Sequence, residues 1–373
     1  MKNLQRTNPL LFAVSLLGIF ICAGPFSLYA KGQEDVSPSQ NNSHPEVRVV
    51  KDSEGQEVEI PWEVTKAGPV IGAFAQITQV VSAGSGKISA AATQNINSYF
   101  KKVFPDYIQS NSGNFNATSV EELIASETQV AYGPGTIFSA EQKEQLRKAG
   151  VAFVPINNVA DVAGLCQSFQ IVGDILGEDA AKRAAEFVTY YQGNIKAARD
   201  KTAGITDTEK VRFLSIFYSA NAYATTNGRD ISNEYIEAAG GINTAKNYLG
   251  GAAGNSLTVD AEQIVQWDPQ VIMTSNQTGA AAVLKDPALQ TVSAVKNGRV
   301  YVCPYGIYLW SVRSGEGAML PLWMGTKMYP DRFTDINMGE VVKYFFNHFY
   351  NYDIPAAEID TVLAGDASTA MTR

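Results

Sequence analysis

Between Pro69 and Ile156 short apolar runs alternate with amphipathic ones. VIGAF, KISAAA, QVAYG and VAFVPI read as buried strands. ITQVVSAG, SVEELIAS and SAEQKEQLRKAG read as helices, the first and last closed by Gly84 and Gly150. Ahead of them, VRVVKDSEGQEVEIPW alternates apolar and polar residues on each side of Glu54-Gly55, which predicts a β-hairpin. A repeated strand–helix–strand order predicts a mainly parallel sheet with helices on its faces.

The rhythm changes at Asp161. From there to Thr202 the chain is almost entirely helix-forming, and a break near Gly177 leaves Asp179–Lys201 as a helix of roughly 35 Å at ~1.5 Å per residue. A second alternating run follows. VRFLSIFYS, VIMTSN and RVYVCPYG are its strands, ISNEYIEAAGG, AEQIVQW and ALQTVSAV its helices, and Gly317 to Leu363 is mainly helical. The predicted fold class is α/β, two Rossmann-like lobes with mainly parallel sheets joined by one long helix. The expected divisions are 46–160 for the first lobe, 161–205 for the linker with its spine helix, and 206–373 for the second lobe with its helical end.

Two segments mirror each other. Aligning Gln129-Val130 with Gln270-Val271 sets Leu123 on Ile264, Ile124 on Val265 and Glu121 on Glu262. The match is short, but it falls at comparable places in the two alternating runs and supports two lobes of like construction.

The first residues differ from the rest. Lys2 and Arg6 precede the apolar run Leu10–Cys22, and Ser27-Leu28-Tyr29-Ala30 follows, the layout of a secretory signal cleaved near Ala30. The run is short for a membrane span and is followed by Gly24-Pro25, so an uncleaved anchor is the lesser alternative. Ile21 is bulky where a lipoprotein signal has a small residue, which argues against lipidation at Cys22. Residues 31–45, KGQEDVSPSQNNSHP, read as a flexible tether.

Composition removes several function classes. A net charge of −8 without any basic run argues against nucleic acid. With two histidines, His44 and His348, a metal site built from several imidazoles is excluded by count. After cleavage only Cys166 and Cys303 remain, and no disulfide is required. No G-x-S-x-G elbow, H-E-x-x-H pair or Walker loop is present; GSGKIS at Gly84–Ser89 lacks the first glycine of a Walker motif. The chain is expected to be no enzyme and to carry no resident cofactor or metal.

In open α/β sheets ligands bind beyond the carboxyl ends of the strands, and two lobes would face those ends across a cleft. In the first lobe this points to Gln76 and Tyr132. In the second it points to Tyr218, Asn227, Arg229 and Asn276, and most strongly to PYGIYLWSVRSGEG, with Tyr305, Tyr308, Trp310 and Arg313 in one loop. Arginine can hold an anionic group through parallel hydrogen bonds, and aromatic faces can stack on a conjugated ligand.

The ordered set SEGQEVEIP, SVEELIA, LRKAGVAFVPI, IEAAGGINTA, AEQIVQWDPQVIM, AVKNGRVYVCP and MYPDRFTDINMGEVVKYFFNHFY resembles the extracytoplasmic substrate-binding proteins of ABC importers, in the subgroup for iron–siderophores, haem and cobalamin. The resemblance runs from about Val47 to Leu363. It implies two lobes on one rigid helix with little closure on binding. It also implies that one exposed glutamate per lobe, here Glu121 and Glu262, docks on an inner-membrane permease dimer with its ATPase. The expected cargo is an iron(III) complex, with molybdate or tungstate as the alternative; an exported α/β hydrolase or lyase is the alternative from another class. A periplasmic or extracytoplasmic monomer is expected.

Overall fold

In the computed structural model the described residues are 46–91, 97–107, 119–157, 160–249 and 256–366. The expected signal, the tether and Cys22 lie outside them. The hairpin forms as expected: β1 (Val47–Lys51) and β2 (Glu57–Pro61) pair antiparallel, Val47 opposite Pro61. Asp52 Oδ1 closes its turn by accepting from the Glu54 and Gln56 amides, both at 2.8 Å, and Gly55 takes the left-handed conformation at φ 80°.

The first lobe holds a three-stranded parallel sheet in the order β3 (Ala67–Pro69), β4 (Val130–Gly133), β5 (Ala152–Pro155). Two expected strands are corrected. The strand expected at VIGAF lies just before it, at Ala67–Pro69, and VIGAF itself leads into a helix, Gly72–Ser82. That helix is buried on nearly every side, so its apolar run carries no period to separate helix from strand. KISAAA contributes a single parallel bridge, Ile88 to Ala67, and no strand among the described residues.

The helix Val162–Leu176 stops at Gly177, whose φ of 108° suits only glycine, and the spine Glu178–Thr202 starts at once. At 25 residues the spine spans roughly 37 Å. The two helices pack tightly because Gly173 lacks a side chain; a Cβ there would lie 2.7 Å from that of Ala184.

Among the described residues the second lobe carries six strands: β6 (Arg212–Ser219), β7 (Ala222–Thr226), β8 (Ile242–Asn243), β9 (Ser256–Val259), β10 (Val271–Thr274) and β11 (Val300–Val302). The order is β11-β10-β6-β7-β9, with β8 also on β6. β6 pairs parallel with β10 and β8, and β10 parallel with β11, while β6–β7 and β7–β9 are antiparallel. Asn227 and Arg229, expected beyond a strand end, thus follow directly on the antiparallel strand β7. Ala220 and Asn221 both take positive φ, 49° and 61°, and make the two-residue turn between β6 and β7.

One core joins the lobes. Phe187 on the spine stacks on Phe169 at 4.0 Å and meets the edges of Tyr191, Phe345 and Phe349. The helices Met338–Phe349 and Ala356–Leu363, expected with the second lobe, return to the first. Tyr99 packs on Phe346 and Tyr352, Phe104 on Tyr350, and Lys102 pairs with Glu358 at 2.6 Å. Cys166 and Cys303 are buried free thiols. No helix among the described residues is long and apolar enough to cross a membrane.

The mirrored segments share more than their apolar spacing. Each has a capped helix, Val120–Ala125 after Ser119 and Ala261–Trp267 after Asp260, with Leu123 and Ile264 fully buried at matching positions. Glu127 and Asp268 then turn the chain at positive φ, and pair with Lys66 and Arg212 respectively. Gln129 and Gln270 repeat one clasp on the neighbouring strand. Each donates its amide to the carbonyl of Lys66 or Arg212, at 2.8 Å, and accepts that residue's amide on Oε1, at 2.9 and 3.0 Å.

Candidate functional site

The carboxyl ends of β3 and β11 meet around a cavity of about 360 Å³. The first lobe supplies Ile71 and Ala73; the turn after β11 supplies Tyr305, Tyr308, Leu309, Val312 and Arg313. Three of the residues singled out in the sequence, Tyr305, Tyr308 and Arg313, thus share one cavity. Arg313 Nη2 reaches Asp230 Oδ2 at 3.3 Å, and Asp230 Oδ1 caps the helix Ile231–Ala238 by accepting from Ser232 N at 3.0 Å. The guanidinium is thereby aimed while keeping further N–H groups for a ligand. Across the cavity the helix Gly72–Ser82 begins at Ile71 without a side-chain cap, so its first turn presents backbone donors and a partial positive charge.

Four other expected contacts are structural and are corrected here. Trp310 is fully buried, its indole donating to Glu316 Oε2 at 2.9 Å. Tyr132 is buried against the edge of Phe74 and hydrogen-bonds Thr78. Asn227 is buried, donating Nδ2 to Tyr248 O at 3.0 Å and accepting from Arg229 N at 3.0 Å. Gln76 is fully buried outside the cavity's lining, Oε1 accepting from Gly315 N at 2.8 Å and Nε2 donating to Tyr350 Oη at 2.7 Å. In each case a polar group expected to face ligand satisfies a buried partner instead.

The remaining three lie outside the lining of this cavity. Arg229 is exposed. Asn276 caps the helix Gln277–Lys285 through Gly279 N at 2.7 Å. Tyr218 is half-buried beside Tyr223 and donates to Asn221 Oδ1 at 3.3 Å.

The sequence reading missed Glu316. It is fully buried, and burial pushes its carboxyl up to about 7. Its only signal was an acid flanked by glycines within the largely apolar stretch after Arg313. Glu121 and Glu262 are exposed at the second position of their helices, where acids suit the positive helix end in any case. No group of acidic, histidine or cysteine side chains among the described residues could hold a metal ion.

Two sheet-bearing lobes, one long helix between them and a cavity at the strand ends define a ligand-binding protein, and the chain belongs to the periplasmic binding protein family, whose model matches residues 92–305. It is a binding protein and not an enzyme. The chain is 26% identical over 331 residues to an uncharacterized ABC transporter substrate-binding lipoprotein, YvrC, of Bacillus subtilis, covering 87% of this chain and 96% of that one. It is 25% identical over 194 residues to the molybdate-binding protein MolA of Haemophilus influenzae, about half of each (50% and 52%). The crystal structure of a periplasmic solute binding protein from Veillonella parvula matches with a TM-score of 0.74 and 25% identity, over 87% of this chain and 99% of that one.

Proposed function

We propose that this protein is the extracytoplasmic receptor of an ABC importer, and that it captures an iron(III) chelate in the cavity between its lobes. One observation carries the choice of cargo, the mixed lining of that cavity. Ile71, Ala73, Leu309 and Val312 match the organic part of a chelate, two phenol rings offer stacking faces, and Arg313 answers its negative charge. A cavity of about 360 Å³ lies in the usual range for small-molecule sites.

A second reading, molybdate or tungstate, is favoured by the uncapped helix start facing Arg313 and by the similarity to MolA. Thermal unfolding separates the two. A ferric hydroxamate or catecholate complex at about 100 times its dissociation constant should stabilise the protein by ~2.7 kcal/mol, and the metal-free chelator should not. Stabilisation by molybdate or tungstate alone transfers the proposal to the oxyanion; no response to either removes it.

The exported form begins near Lys31, after cleavage of the signal read in residues 1–30. The lipoprotein relative keeps an anchor at Cys22 as the second reading, and mass spectrometry of the mature N-terminus decides between them. Glu121 and Glu262, one per lobe, are the proposed contacts to the permease.

A further inference from the structure

Among the described residues no cation pairs with the buried Glu316, and such a carboxylate needs a reason, because a hydrophobic side chain of similar size would pack there without the desolvation cost. Glu316 collects four donors. Gly306 N and Trp310 Nε1 reach Oε2 at 3.0 and 2.9 Å, while Ile307 N and Tyr350 Oη reach Oε1, both at 2.9 Å. Two are backbone amides of the turn that carries Tyr305, Tyr308 and Leu309 into the cavity. Gly306 must be glycine for this, since a Cβ would stand 2.5 Å from Glu316 Oε2.

The contacts do not end in the second lobe. Tyr350 Oη, while donating to Glu316, accepts from Gln76 Nε2 at 2.7 Å, and Gln76 Oε1 takes the Gly315 amide at 2.8 Å. Gln76 sits one turn into the helix whose start forms the opposite wall. Asn97, also from the first lobe, donates to Gly306 O at 3.3 Å. Both walls are therefore tied to one carboxylate.

We propose that Glu316 is a positioning residue for ligand capture: its carboxylate fastens the Tyr305–Trp310 turn, through Tyr350 and Gln76, to the helix Gly72–Ser82 and so sets the shape of the cavity. This rests on the reading of that cavity as the ligand site. The titratable groups that feel its charge are Tyr350, Tyr99, Tyr305 and Cys303, each pushed upward by burial first and by this carboxylate in addition. Glu316 is thus the group among them that changes charge near neutrality.

The test compares wild type with Glu316→Gln, which keeps the shape, and Tyr350→Phe, which removes one hydroxyl. A ferric hydroxamate complex and molybdate serve as probes, and hydrogen exchange is followed at the Gly306 and Ile307 amides without ligand. Glu316→Gln should speed that exchange roughly thirtyfold and weaken the probe that binds wild type by roughly thirtyfold, because two donors then face its amide nitrogen and a net hydrogen bond is worth ~1 kcal/mol. Tyr350→Phe should shift both in the same direction by a smaller factor. Wild-type affinity should rise severalfold between about pH 6 and about pH 8 as the carboxylate ionises and grips its donors, with no such rise in Glu316→Gln.

Faster exchange with unchanged affinity makes Glu316 a packing residue only and overturns the proposal, as does an identical pH profile in the two proteins. If Glu316→Gln fails to fold, unchanged affinity in Tyr350→Phe overturns it. Wild type binding neither probe removes the ligand reading and the positioning role with it, whereas wild-type binding that survives Glu316→Gln removes the positioning role alone.

Discussion

Replacing Glu316 by glutamine should change how the whole fold responds to pH. Burial raises the carboxyl from 4.5 to about 7, opposed by hydrogen bonds from Tyr350, Ile307, Trp310 and Gly306. The folded value lies above the unfolded one, so the fold prefers the neutral acid. That contribution to stability is complete below about pH 4.5 and is lost as pH rises through about 7. Each pKa unit is worth ~1.36 kcal/mol, which puts the loss at about 3 kcal/mol, nearly all of it between about pH 4 and about pH 8. Urea unfolding of wild type and Glu316→Gln across that range isolates it, because the other carboxylates titrate alike in both. The glutamine adds an offset for its mismatched donors, but that offset has no pH dependence. Wild type should lose about 3 kcal/mol relative to the variant between the two ends of the range. Parallel curves would refute the reasoning.

Three further outcomes are expected. Phe187→Ala should cost about 4 kcal/mol, at the upper part of the usual ~3–5 for a buried phenylalanine, since it loses one stacked and three edge contacts; a loss under about 2 in urea unfolding would show that the spine joint repacks. Arg313→Gln should weaken an anionic ligand roughly 10- to 150-fold by calorimetry, the ~1.5–3 kcal/mol of a charged hydrogen bond, while leaving the thermal midpoint near that of wild type; unchanged affinity would remove Arg313 from the site. Changing Glu121 and Glu262 together to alanine should stop uptake and leave ligand affinity intact, because each exposed pair alone is weak; lost affinity would contradict a docking role.

The order of elements was legible because its signals are local. Ser119, Ser139 and Asp161 cap the helices they precede, Gly177 breaks the long helical stretch where expected, and Glu54-Gly55 turns the hairpin. The antiparallel strands β7 and β9 were not, since Ala220-Asn221 lacks the glycine that marks a two-residue hairpin turn. Within the candidate site, the loop from Tyr305 to Arg313 could be found from its crowd of aromatic and cationic groups. Which of them face the cavity could not, because that depends on Glu316 drawing Trp310 inward, and their link to Gln76 spans 239 residues of chain. A polar residue at a strand end looks the same in sequence whether it meets ligand or a buried partner.

The return of the last two helices to the first lobe constrains how the molecule is made. Tyr99 and Lys102 have partners at Phe346, Tyr352 and Glu358, so the early half cannot finish its packing until the chain has been made past Glu358. Until those helices arrive, the apolar faces of Tyr99 and Phe104 have no cover, and an intermediate of that kind is the one most exposed to aggregation.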